Sequence, residues 1–170
     1  MTKSSYDLRY LTLGAFASLI IIYGHMQITP QKYYVTGSIL LLYVAIHYKL
    51  YYFIALELIL GAGHSAILLN IGPYTQFALP LLLCTQLLVV YLLIGKENNF
   101  FLFIGILGIA LLSIGFAYNN QPISLLGSCG IAIYGYYSAF NDQPAAFIWA
   151  ILNTIVALFS LYNIIFLGGI

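Results

Sequence analysis

The stretch FFLFIGILGIALLSIGFAY, Phe100 to Tyr118, holds no charged side chain and a single hydroxyl, Ser113, before its closing tyrosine. As an α-helix at 1.5 Å per residue it is about 28 Å long, close to the roughly 30 Å hydrocarbon thickness of a bilayer. Read alone it is a transmembrane helix or the core helix of a large soluble domain. The rest of the chain decides between the two. Of 170 residues, 63% are hydrophobic and 5% charged, with five Lys or Arg and four Asp or Glu, whereas a soluble domain is roughly a quarter charged. Nine charged groups cannot coat a globule, so the outer faces must meet lipid.

Working outward from Phe100–Tyr118, turn-forming or charged residues divide the chain at regular intervals: Thr29-Pro30-Gln31-Lys32, His47-Tyr48-Lys49, Gly72-Pro73, Lys96-Glu97-Asn98-Asn99, Asn119-Asn120-Gln121 and Asn141-Asp142-Gln143. Seven apolar segments result, approximately Leu11–Met26, Tyr33–His47, Leu50–Ile71, Tyr74–Gly95, Phe100–Tyr118, Pro122–Phe140 and Pro144–Gly168, the second being short. Pro122 and Pro144 stand at helix starts, where a missing N–H costs nothing. The expected fold is all-α, a single polytopic transmembrane domain. Ala15-Phe16-Ala17 imitates a signal-peptide cleavage site, but the apolar run continues to Tyr23, so the first segment reads as a retained helix.

Charge sets an expected topology. Lys3, Arg9, Lys49 and Lys96 fall on one side of a seven-helix count and Lys32 alone on the other, which places the N-terminus in the cytoplasm, with the cell inner membrane as the location. Tyr6, Tyr10, Tyr33, Tyr34, Tyr48, Tyr51, Tyr52, Tyr74 and Tyr118 lie near segment ends and read as interfacial anchors. A net charge of +1 with scattered cations offers no nucleic-acid footprint and no polybasic lipid cluster. Cys84 and Cys129 match no metal or redox spacing, and no cofactor motif occurs. The partners in view are the bilayer, a small-molecule substrate, and either further copies of the chain or a larger membrane complex.

A weak internal repeat runs through the segments. Tyr23-Gly24 aligns with Ile114-Gly115, Gly37-Ser38 with Gly127-Ser128, Phe53-Ile54 with Phe147-Ile148 and Asn70-Ile71 with Asn163-Ile164, at offsets of 91, 90, 94 and 93. Helices 1 to 3, about residues 10–71, would thus repeat as helices 5 to 7, about 99–168, with the fourth, about 74–95, as a connector. Three crossings reverse the chain and a fourth restores it, so the halves would be parallel repeats. Chance similarity among Leu-, Ile- and Gly-rich segments is the competing explanation.

That layout, with the run Thr36-Gly37-Ser38-Ile39-Leu40-Leu41-Leu42-Tyr43 followed by Tyr52-Phe53-Ile54, resembles the PnuC-type vitamin transporters and, more distantly, the SWEET sugar carriers. Thr29-Pro30-Gln31 contains the dipeptide for which that wider group is named. The resemblance implies facilitated diffusion of a vitamin-like compound through a site between two triplets. The family's binding region is rich in tryptophan, whereas Trp149 is the only one here; the implication therefore concerns architecture and mode of transport rather than substrate.

Glu57 is the only carboxylate inside a span, where a charged side chain costs a few kcal/mol even on permissive scales. Gly61, His64 and Ser65 continue its helical stripe, so that face should meet protein or water. The bland alternative is a protonated Glu57 bonded to a neighbouring helix, with Gly61 and Ser65 permitting close packing. Helix 7 carries a second polar stripe: Trp149, Asn153, Thr154, Ser160 and Asn163. Ala146, Ala150 and Thr154 offer a packing row as the competing reading. On helix 4, Pro80 would kink the chain and turn Gln86 inward. The expected substrate-binding set is Glu57, His64, Gln86, Trp149 and Asn153, while His25 and His47, at segment ends, read as solvated. Paired carboxylates and nucleophile triads are missing. The leading expectation is a non-enzymatic carrier of a neutral or weakly polar metabolite such as a vitamin, nucleoside or sugar. An assembly subunit is the alternative, and a lipid-modifying enzyme ranks third.

Overall fold

The computed structural model describes residues 7–94 and 99–167; Lys3, Tyr6, the Lys96-Glu97-Asn98 divider and Gly168 lie outside the described residues. Among the described residues seven α-helices follow in order: α1 Leu8–His25, α2 Gln31–His47, α3 Tyr51–Leu68, α4 Pro73–Ile94, α5 Phe100–Ala117, α6 Gln121–Phe140 and α7 Phe147–Phe166, the last entered through a single 3-10 turn, Pro144–Ala146. Six are long and apolar enough to cross a membrane. The remaining one, α2, has 17 residues and is the shortest. The chain is a membrane-spanning helical protein.

The dividers act as caps. Asp7, Asn99 and Asn120 each accept a hydrogen bond from a backbone N–H of the first turn, at 3.0, 2.7 and 3.0 Å, satisfying donors that a helix start leaves orphaned. At the other ends Lys49, Asn70, Asn119 and Asp142 take the left-handed conformation, with φ between 50° and 65°. Their successors bond back into the helix, as in Leu50 N–H to the Ala45 carbonyl at 2.9 Å and Asn120 N–H to the Gly115 carbonyl at 2.8 Å. Three of the four are Asn or Asp, the residues that reach this conformation most readily after glycine.

Chain neighbours pack on one another: α1 on α2, α2 on α3, α5 on α6, α6 on α7. The circuit closes where α3 meets α5 and α1 meets α7. Helix α4 lies at the periphery against α3 and α5. Small residues let the backbones approach, most of all between α5 and α6. A Cβ on Gly108 would stand 2.8 Å from the Ile131 nitrogen, and one on Gly127 would run into the Leu112 backbone. Outer positions such as Leu19, Ile39, Leu58, Leu126 and Leu158 are apolar and exposed, as a lipid-facing surface requires.

Helix α4 departs from expectation. It continues as a helix through Pro80, which is buried against Gly63 of α3, and Gln86 lies on the exposed side. Pro80 and Cys84, one turn apart, define the buried face. Gln86 follows Cys84 by two residues, about 200° round the helix, and so points away from the bundle.

Candidate functional site

Helix α3 places Glu57 and His64 two turns apart on one buried face, and α7 places Trp149 and Asn153 one turn apart on another. The two helices are joined by a direct bond: the Trp149 Nε1–H donates to Glu57 Oε1 at 2.7 Å, across 92 residues of sequence. Asn153 Nδ2 donates to the Trp149 carbonyl at 2.9 Å. Ser38 of α2 stands beside the same carboxyl. The Trp149 ring, fully buried, lies 4.7 Å from that of Phe53 between centroids. A buried acceptor in a span must be bonded to be tolerated, and an indole N–H with a hydroxyl nearby supplies partners without a countercharge.

Glu57, His64, Asn153 and Ser38 line a chamber of about 30 Å³, walled by Leu112 and Val156. A water needs roughly 10–15 Å³ by this measure, so the chamber holds about two waters and no metabolite in the shape described. It adjoins a vestibule of about 380 Å³ at the end of the bundle where α1, α3, α5 and α7 finish, lined by Gln27, Gln31, Asn119, Gln121, Ser160 and Asn163 among others. Four side chains border both spaces: His25, Tyr34, His64 and Phe116. They come from α1, α2, α3 and α5, and their rings touch at a tilt, with centroids 4.9 Å apart for His25–Tyr34, 4.7 Å for Tyr34–His64 and 4.9 Å for His64–Phe116. They stand between a wide polar mouth and a narrow chamber whose mostly apolar walls carry a few polar groups.

The side toward the N-terminus is packed with aromatic rings. Tyr52 and Phe53 of α3 meet Tyr134 of α6 and Trp149 of α7, and the Tyr52 hydroxyl donates to the Gly105 carbonyl of α5 at 2.8 Å. The Tyr52 and Tyr134 rings are 4.1 Å apart. Both spaces therefore open toward the same face. The turn between α2 and α3 belongs to the other, since the Tyr48 hydroxyl bonds the Asp7 carbonyl at 2.9 Å.

Of the five residues singled out from sequence, Glu57, His64 and Asn153 line the chamber, and Trp149 stands behind its wall, bonded to Glu57. Gln86 does not join them; it is exposed on the far side of α4. Ser160 and Asn163 carry the α7 stripe into the vestibule, while Thr154 turns to Tyr136, 3.3 Å between their hydroxyl oxygens. Sequence reading missed His25, Tyr34, Ser38 and Phe116. His25 and Tyr34 stand at helix ends, where solvation and anchoring are the usual roles, and Phe116 is one phenylalanine among eleven. Ser38 carried two signals, its place in the Gly37-Ser38 repeat pair and in the Thr36–Tyr43 run. No cluster of His, Cys, Asp and Glu able to hold a metal ion occurs among the described residues. Comparison with family models, curated proteins and solved structures found no match.

Proposed function

We propose that the chain is a small carrier that passes a neutral or weakly polar metabolite, of the size of a vitamin, nucleoside or sugar, across the inner membrane by alternating access. The observation that carries this reading is the graded path on one face: a polar vestibule, a four-ring constriction, then a chamber where Glu57, Trp149 and Asn153 meet from both ends of the sequence. An aromatic layer backs that chamber. A vestibule of this size falls within the range of small-molecule sites, and a few polar groups on apolar walls are their usual lining.

The three-plus-one-plus-three layout belongs to this proposal, as does its kinship with PnuC-type carriers. Burial supports it. At an offset of 91, Gly14, Ala17 and Gly24 of α1 correspond to Gly105, Gly108 and Gly115 of α5, all buried. At 90, buried Gly37, Ser38 and Leu41 correspond to buried Gly127, Ser128 and Ile131. At 93, Leu56, Glu57, Gly63 and His64 correspond to buried Trp149, Ala150, Val156 and Ala157. In this register α3 supplies the acid and the histidine where α7 has alanines. Rocking of α1–α3 against α5–α7 would open the aromatic layer as the constriction closes. With the N-terminus cytoplasmic, as Arg9 and Lys49 on one face and Lys32 on the other favour, the vestibule faces outward.

Uptake into proteoliposomes, screened with vitamins, nucleosides and sugars, tests the proposal. At least one compound should enter down its gradient, and Glu57→Gln should slow its entry while the protein stays folded. If none is moved or bound, the assembly-subunit reading takes its place.

A further inference from the structure

The exposed side of α4 carries a group that lipid does not suit. Thr75, Ala78, Leu82, Thr85, Gln86 and Val89 all lie on it. Gln86 is the fourteenth residue of a 22-residue helix, about 4 Å from its midpoint, so an extended side chain of ~5 Å cannot reach either interface. The neighbouring Thr85 hydroxyl is satisfied by its own helix, donating to the Leu81 carbonyl at 2.9 Å. Among the described residues the Gln86 amide has no side-chain hydrogen bond, and it carries two donors and an acceptor into hydrocarbon.

We propose that the Gln86 face of α4 is the contact between two copies of this chain, paired in parallel about a two-fold axis along the membrane normal. Copies inserted with the same orientation can be related only by an axis along the normal, which brings residue 86 to residue 86 at equal depth. A primary amide is its own complement, so each Gln86 donates to the other's carbonyl. A different protein would need its own polar group at that depth. Leu82, Gln86, Val89 and Leu93, all exposed, recur at alternating steps of four, three and four, the spacing of a left-handed helix pair, which puts Gln86 on the seam itself, with small Ala78 and Thr85 beside it. No charge lies on this seam to oppose a like copy. The pairing leaves the vestibule and chamber free and does not depend on the transport reading.

The test counts photobleaching steps of singly labelled chains in large vesicles over a dilution series. Wild type should show two-step spots down to low density. Gln86→Leu, an apolar change at an exposed site that threatens no packing, should lower the association constant about tenfold or more, and Gln86→Asn should retain most of it. Leu82→Cys should cross-link to its twin, whereas Leu158→Cys, on the outer face of α7, should not. One-step spots for wild type at every density, or equal association of wild type and Gln86→Leu, would overturn the proposal. So would purified chains that pair only when a second membrane protein is added.

Discussion

Replacing Trp149 by phenylalanine keeps a ring against Phe53 but deletes the N–H that Glu57 Oε1 accepts at 2.7 Å. Leaving a buried acceptor without its donor costs about 1–3 kcal/mol, and the lost indole volume adds roughly 1 kcal/mol of packing. Trp149→Phe should therefore destabilise the folded state by about 2–4 kcal/mol. Glu57→Gln preserves a carbonyl acceptor for the indole and should cost less than about 1 kcal/mol. The informative comparison is the cycle of Trp149→Phe, Glu57→Leu and the double change that combines them, which removes the donor and the acceptor together. Apolar replacement of both sides of a buried polar contact is close to neutral, so the double should be at least about 1 kcal/mol more stable than the two singles predict by addition. Reversible unfolding in mixed micelles, followed by circular dichroism, gives the four free energies. Additivity within about 0.5 kcal/mol would refute a direct bond between α3 and α7.

Three further outcomes follow from the geometry. Gly127→Val should cost at least about 2 kcal/mol or prevent assembly, because its Cβ meets the Leu112 backbone, whereas Gly72→Ala, with nothing within 4 Å, should be neutral in thermal stability. In a background with Cys84 and Cys129 replaced, Asn163→Cys should react quickly with a polar thiol reagent and Asn153→Cys slowly, and adding Phe116→Ala should accelerate the latter about tenfold; equal rates at the outset would remove the constriction. Thiol reagents applied from the vestibule side of oriented vesicles should label Lys32→Cys and spare Lys49→Cys, and labelling of both from one side would show a miscounted crossing.

Helix positions were legible because each divider has its own chemistry. Asn99 and Asn120 cap, Asn70 and Asn119 take the left-handed turn, and Pro122 starts α6. Glu57, His64, Trp149 and Asn153 were legible because a polar group in an apolar span has few places to go, and two such stripes tend to find each other. Which face of α4 turns inward was not legible. Its two sides are almost equally apolar, so periodicity favours neither; the inner side is the one on which Pro80 packs beside Gly63. The four-ring cluster was hidden for a different reason: His25, Tyr34 and Phe116 sit near the ends of three helices and acquire meaning only where those ends converge. Register was recoverable only in part, since the Phe53-Ile54 match to Phe147-Ile148 implies 94 while burial along α3 and α7 coincides at 93.

Trp149 is the only tryptophan in the chain, so its emission reports on the chamber alone. The most direct measurement is the emission of reconstituted protein titrated with whichever compound the uptake screen finds, set beside the concentration dependence of uptake. The account predicts a saturable change in Trp149 emission, half-complete near the concentration that half-saturates transport and weakened by Glu57→Gln. Saturable transport with unchanged Trp149 emission would contradict it, since the substrate would then cross without entering the chamber that Glu57 lines and Trp149 backs.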